Sequence, residues 1–334
     1  MARAQQDAVS ARLIPLANPR DWELAVSRVP HGPAHTHWYN AALAASVKGE
    51  IVLFEYGVGE NFAVCPIVLW PCGESVDVAT PYGFGGFATL GTCERLPDEF
   101  RKFAIEQGWV CGYLALHPLF PHPFAATDGL DRGRTIYVLD LSISEDLILA
   151  AMHKTHRYEL RKESDLLDSI VMDVNQVIEA LPALYAETLE RAGASGTYRF
   201  SGKTLKTWLS SPGSLVLGLG EPLQAVVLCL YSTDIADYFI NASTKQGRNY
   251  TRILLWAAVR ELKRRGVRYL NFGGGVRDGD ALEAFKRRFG GISLNVPVLK
   301  QVYEREQFMA LCRQAGATER RDHFPPYRGP GYAP

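Results

Sequence analysis

The sequence predicts an α+β protein of mixed α/β layers, arranged as two tandem domains that are each a mixed sheet flanked by helices. Three observations carry this prediction. The chain has 334 residues, more than a domain of ordinary size holds. Both halves read with one grammar, helix–three strands–helix–strand–strand, with an added helix before the last strand of the second half. The strands form meanders interrupted by crossover helices, a pattern that gives one sheet per half.

In the first half, residues 12–16 read as a short strand. Asn18-Pro19 before DWELAVSRV fits an N-cap followed by proline at the first helical position, where its missing N–H is no loss. A second helix is expected over 38–46, then strands over 50–56, 61–70 and 75–79 with short turns of the kind a meander needs. PYGFGGF at 81–87 is a glycine-rich loop, and the helix 97–107 opens on Pro97 and closes at Gly108. Strands fit 109–116 and 135–141, separated by the loop HPLFPHPFAATDGLDRG, which is rich in proline and glycine. The boundary is expected close to 140–145, giving domains 1–143 and 144–334.

The second half opens on a basic helical stretch, MHKTHRYELRKESDLL, with a strand expected over 170–174. The helix 177–191 carries Ile178, Leu181, Leu184, Tyr185 and Leu189 at helical spacing, and another helix covers 203–209. The strands SLVLGLG, PLQAVVLCLY and IADYFINAS follow. An amphipathic helix over 250–265 closes at Gly266, and the strand 268–272 leads into a glycine loop, a helix over 280–289 and a last strand over 292–302.

Composition narrows the function classes. Lys+Arg and Asp+Glu are both 36, so a broad basic surface gripping nucleic acid is not expected, although a local patch is compatible with the balance. The six cysteines form no CxxC pair and sit mostly in apolar runs, as reduced, buried thiols do. MARAQQDAVSAR lacks the apolar core of a signal peptide, and no apolar stretch approaches the about 20 residues that cross a bilayer. The expected location is cytoplasmic, with no membrane span.

The segment richest in chemistry is RYLNFGGGVRDGDALEAFKRRFGG, residues 268–291. A strand ends at Asn271 and runs into Gly273 and Gly274, where glycine permits positive φ and close approach of a ligand to the backbone. The helix after it presents Leu282, Phe285 and Phe289 on one face, with Lys286 beside Phe285. A lysine held against an aromatic face near a cleft can stabilise a developing oxyanion. The same helix also reads as solvated, its basic residues complementing the dipole at its C-terminal end. Tyr238 and Asn241 are candidate polar groups at the cleft, or simply sheet-surface residues.

These segments resemble the FemAB family of GNAT-fold transferases. The likeness rests on Asn271-Phe272-Gly273-Gly274 followed by Phe285-Lys286-Arg287-Arg288-Phe289-Gly290. DYFINASTKQGRNYTRILLWAAVRELKRRGV and HKTHRYELRKES are similar to the family's tyrosine strand, Trp-containing helix and basic helix, and PYGFGGF to a glycine loop of many relatives. The resemblance covers most of 145–300 and, more thinly, the first half. It implies two tandem GNAT-like domains. It also implies transfer of an aminoacyl group from aminoacyl-tRNA, through the tRNA acceptor end and without another cofactor, to an amine of a small-molecule, nucleotide-linked or cell-envelope precursor. Relatives act in polysaccharide and natural-product pathways. By motif, Phe285 and Lys286 would lie at the reacting ester near the donor's terminal adenosine, with Tyr238 as a further catalytic group. Arg157 and Arg161, one turn apart, would hold acceptor phosphates or carboxylates, while Asn241, Asn271, Gly273 and Gly274 would contact substrate. The two arginines also read as a solvated face paired with Glu159 and Glu163. The long helical-hairpin insertion of the wall-bridging members is missing from this sequence.

An acyl-CoA-dependent N-acyltransferase is the alternative. Its pyrophosphate loop, Q/R-x-x-G-x-G/A, has as its counterpart Gln246-Gly247-Arg248-Asn249-Tyr250-Thr251, where Asn249 and Thr251 crowd the place of phosphate. A third reading is a non-catalytic protein that binds an anionic ligand. Gly202-Lys203-Thr204 imitates a P-loop, but Thr197 stands where the upstream glycine belongs. His35 with His37, and His153 with His156, lack further ligands at metal-binding spacing, so no metal is expected. No G-x-S-x-G elbow occurs.

Overall fold

The computed structural model describes residues 9–193, 199–277, 279–317 and 323–328; Thr197 and the first eight residues lie outside them. The chain forms two compact units, Met1–Gly133 with Val296–Pro334, and Arg134–Asn295. Each is a mixed sheet flanked by helices, as the sequence predicts.

In the first unit, β1 (Ser10–Pro15) pairs antiparallel with β2 (Glu50–Val58), which continues into the meander β3 (Asn61–Cys72) and β4 (Ser75–Ala79). The short β5 (Ala88–Leu90) adds to β3. Helix α1 (Pro19–Val26) starts where Asn18 accepts the Asp21 N–H, and α2 (His37–Leu43) where Thr36 accepts the Tyr39 N–H. Helix α3 (Leu96–Glu106) then crosses over, so that β6 (Trp109–Ala115) lies parallel to β4. Phe100 of this helix meets Phe54 and Phe87 edge to face, and these two meet each other likewise, with ring centroids 5.0–6.2 Å apart.

The second unit repeats this scheme. Helices α4 (Glu145–Ala151), α5 (Lys154–Lys162), α6 (Val174–Ala192) and α7 (Gly202–Leu209) precede the meander β8 (Ser214–Leu219), β9 (Ala225–Tyr231) and β10 (Ile235–Ser243). The crossover helix is α8 (Thr251–Arg264), after which β11 (Tyr269–Gly273) lies parallel to β10. Helix α9 (Ala281–Arg287) follows. Ser201, in the P-loop-like GKT segment, is the N-cap of α7 and accepts the Thr204 N–H.

The units part elsewhere than at 143/144. Strand β7 (Leu130–Asp140) passes from the first unit into the second, where Tyr137–Asp140 pair with β11. Strand β12 (Ile292–Val302) passes back, and Val298–Val302 pair with β6. Each unit therefore takes its last strand from the other half of the sequence. Strand periodicity identifies such residues but not their partners. A tenth helix, α10 (Arg305–Gln314), lies beyond the elements read from the sequence. Of the expected strand 170–174, only Val171 makes a bridge, to Gly218, because Asp173 already caps α6 by accepting the Asn175 N–H. The basic stretch is not one helix: Met152 is extended, and His153 caps the start of α5.

Five of the six cysteines are buried and all six are free thiols. Among the described residues no helix is long and apolar enough to cross a membrane.

Among its described residues, the first unit holds a charge pair with a buried carboxylate. Asp77 on β4 is fully buried and accepts hydrogen bonds from Arg328 Nε and Tyr327 Oη, both at 2.6 Å. Arg328 also donates to the carbonyls of Trp70 and Pro71. Removing the guanidinium strands a carboxylate in the sheet, an effect of about 3–5 kcal/mol. Arg328→Ala is thus expected to lower stability by that amount, read as a fall in the urea midpoint.

Candidate functional site

Parallel pairing between β10 and β11 runs over three rungs, Ile235–Tyr269, Ala236–Leu270 and Asp237–Asn271. Both strands are irregular immediately afterwards: β10 shifts register against β9 between Tyr238 and Ile240, and β11 against β7 between Asn271 and Gly273. Beyond the last rung β10 continues along β9 to Ser243, while β11 ends at Gly273 and leads into the glycine loop. Bulges of this kind re-aim side chains. Tyr238 stands opposite Cys229 and Asn241 opposite Val227, two residues apart on β9, so the bulge brings Tyr238 and Asn241 to one face although they are three apart in sequence.

Lys286 stands over this place. Asp280 caps α9 by accepting the Glu283 N–H at 2.7 Å, and its other oxygen accepts the Val276 and Arg277 N–H groups, tying loop to helix. At the end of α9, Arg287 and the C-cap residue Arg288 are exposed, but Lys286 is only 8% exposed. Its ammonium donates to the Gly274 carbonyl at 2.7 Å and lies 5.8 Å from the centre of the Tyr238 ring. Burial, with the nearby Arg134 charge, lowers its pKa to about 8, against a smaller opposing pull from Asp280. The Tyr238 phenol is pushed up by burial. At neutral pH the site therefore holds a poorly hydrated ammonium beside a strand end, suited to hydrogen-bonding an oxygen on which charge develops. The solvated-helix reading describes Arg287 and Arg288, not Lys286.

The other expected residues divide. Asn271, Gly273 and Gly274 lie at the site, but the Asn271 side chain is turned inward, donating to Asp237 at 2.9 Å and accepting the Gly273 N–H at 2.7 Å. Phe285 packs on His156 and Phe289, with ring centroids 5.2 and 5.4 Å away. Asn241 accepts from the Thr251 hydroxyl at the start of α8. Arg157 donates to the carbonyls of Ala150 and Met152 at the end of α4. Arg161 is exposed on the last turn of α5. Glu159 and Glu163 reach Arg252 on α8 rather than these two arginines, at 3.8 and 2.8 Å. Among the described residues, no group of three or more His, Cys, Asp or Glu side chains could hold a metal ion.

No family model matches the chain, and no curated protein matches it. Solved structures do. FemX aligns over 90% of this chain and 99% of its own, with a TM-score of 0.69 and 11% identity. The chain takes the FemX fold. The C-terminal domain of a putative lysylphosphatidylglycerol synthetase from Agrobacterium fabrum aligns over 88% of this chain and 97% of its own (TM-score 0.55, 16% identity). L-PGS from Bacillus licheniformis aligns over 86% and 92% (TM-score 0.56, 12% identity). The fold implied by the FemAB resemblance is thus the observed one.

Two buried titratable residues at this site lie within segments that the sequence singles out, HKTHRYELRKES and DYFINAST, without being given a substrate or catalytic role by it. His156 is 2% exposed, and burial with the Arg252 charge lowers its pKa to about 4. Asp237 is 3% exposed, and burial raises its carboxyl to about 7. A signal for Asp237 exists in IADYFI, where a carboxylate interrupts an apolar strand.

Lys286 binds its proton less tightly when folded, at about 8 against an ordinary 10.5, so the unfolded chain holds the extra proton between those values and stability rises with pH across that window. Lys286→Met is expected to flatten that slope. It should also stabilise the protein at pH 7 by up to about 3 kcal/mol, read by urea denaturation at pH 7 and pH 10.

Proposed function

We propose that the chain is an acyltransferase of FemAB type, which moves an aminoacyl group from aminoacyl-tRNA to an amine of a small-molecule or nucleotide-linked precursor. The observation that carries the reading is Lys286, an ammonium buried at the end of the β10–β11 pairing and aimed at Gly274 O. In the reaction the acceptor nitrogen adds to the ester carbonyl carbon. Lys286 donates to the oxyanion that forms, the bond from carbonyl carbon to ribose oxygen breaks, and the proton lost by the amine ends on the ribose hydroxyl. Phe285 and Tyr238 would wall the reacting ester, and Asn241 would offer its amide on the same face as Tyr238. The fold shared with FemX and with a protein named for lysylphosphatidylglycerol synthesis supports an aminoacyl donor.

The CoA alternative fits less well for an electrostatic reason. Glu159 and Glu163 approach Arg252 on the first turn of α8, where a pyrophosphate would need open N–H groups and no carboxylates.

The test is transfer of label from a mixed pool of radiolabelled aminoacyl-tRNA, with a cell extract supplying acceptors. Wild type should form a labelled product, and Lys286→Ala should reduce its rate by about 10²–10³-fold, the usual effect of removing one oxyanion donor. Thiol release from acetyl-CoA, with no transfer from tRNA, would replace this reading by the CoA-dependent one. Ligand binding unchanged by Lys286→Ala, with no turnover of either donor, would favour the binding-protein reading.

A further inference from the structure

Asp237 is an expensive residue where it stands. It lies on β10 in a run of apolar neighbours, and among the described residues no cation pairs with it. A buried carboxylate without a cation costs stability that an apolar residue of similar volume would not. Its hydrogen bond is to Asn271, directly opposite on β11 at the last parallel rung. Asn271 in turn accepts the N–H of Gly273 through the same side chain, an Asx-type turn closed two residues on. That turn encloses the β11 bulge, and Gly273 takes a φ of +67 in it, a conformation favouring glycine. The next carbonyl, that of Gly274, accepts Lys286. Gly274 has no room for a side chain, since a Cβ there would lie 2.2 Å from the Thr135 carbonyl oxygen.

The first unit has the same arrangement without the last link. Asp77 is the third residue of β4 and Cys111 the third of β6, as Asp237 and Asn271 are in β10 and β11. Cys111 donates weakly to Asp77 at 3.4 Å, and Arg328 neutralises the carboxylate. In the second unit the strand partner is an amide, which can donate to a carboxylate and accept a backbone N–H together.

We propose that Asp237 is a positioning residue: through Asn271 it fixes the Gly273–Gly274 turn and thereby holds the Lys286 ammonium in place. This rests on the acyltransferase reading only for its consequence, since the clasp is a property of the protein without substrate. Breaking it at either link frees Gly274 O to move off Lys286, which removes a hydrogen bond from the charged form and lowers the pKa of Lys286 further.

The test follows Lys286 directly, by NMR titration of protein carrying isotopically labelled lysine, its signal assigned by its loss in Lys286→Met. In Asp237→Leu and in Asn271→Ala the midpoint is expected to fall by about 0.5–1 pH unit, the equivalent of one modest hydrogen bond. The double variant should move no further than either single one. Asp237→Asn, which keeps an acceptor for the Asn271 amide, should restore the wild-type midpoint. Folding is checked by the unchanged signals of the other lysines; should Asp237→Leu not fold, Asn271→Ala carries the same expectation. An unmoved Lys286 midpoint in a folded variant overturns the proposal. A wild-type protein inactive with aminoacyl-tRNA would instead overturn the acyltransferase reading, leaving the titration to decide the clasp by itself.

Discussion

Parallel pairing between β10 and β11 stops at Asp237–Asn271, and the geometry of the candidate site follows from that stop. Had the ladder run on, Tyr238 and Asn241 would face opposite sides of a regular sheet, and Gly273 would be one more rung. Because it ends, β10 can bulge and bring both side chains to one face, and β11 can turn through a glycine at positive φ. The turn presents a carbonyl to which a buried ammonium attaches. Lys286 needs that carbonyl, since an 8% exposed cation with no acceptor would lose its proton or leave.

The exchange of last strands between the two halves bears on this site. β7 pairs antiparallel with β11, and its Thr135 carbonyl lies against Gly274. One wall of the turn that holds Lys286 is therefore made by a strand belonging, in sequence, to the first half. Thr135 is set by the same ladder that aligns Tyr137 with Gly273, so register along β7 and position of the Gly274 carbonyl are coupled.

Much of this was legible in the sequence, for reasons that particular residues make plain. Pro19 after Asn18 and Gly108 after the 97–107 run punctuate their helices by local chemistry. FK-x-x-FG after a glycine loop identified the helix and its lysine, and nearly every strand of both meanders follows from apolar runs. The strand exchange was not legible, because pairing depends on partners distant in sequence. Nor was the use of Arg157, whose spacing with Arg161 suggests a ligand fork. Its guanidinium instead closes the end of α4, a role set by the break at Met152 that helical periodicity does not reveal. Asp237 was visible as a residue but not as a partner, since only the register places it opposite Asn271.

The two units differ where a repeated design would be expected to agree. Each places an aspartate at the third residue of its last meander strand and buries it. In the first unit Arg328 and Tyr327 satisfy Asp77, which then serves to bind residues 327–328 to the sheet. In the second, an uncharged amide takes that place, burial leaves the carboxyl raised to about 7, and a second buried charge, Lys286, stands at the far end of the same chain of hydrogen bonds. Sequences keep local features that oppose stability chiefly where function requires them. By that measure the proposed chemistry belongs to the second unit: it retains a desolvated lysine and an aspartate that no cation among the described residues neutralises, while its counterpart has resolved the same charge into structure.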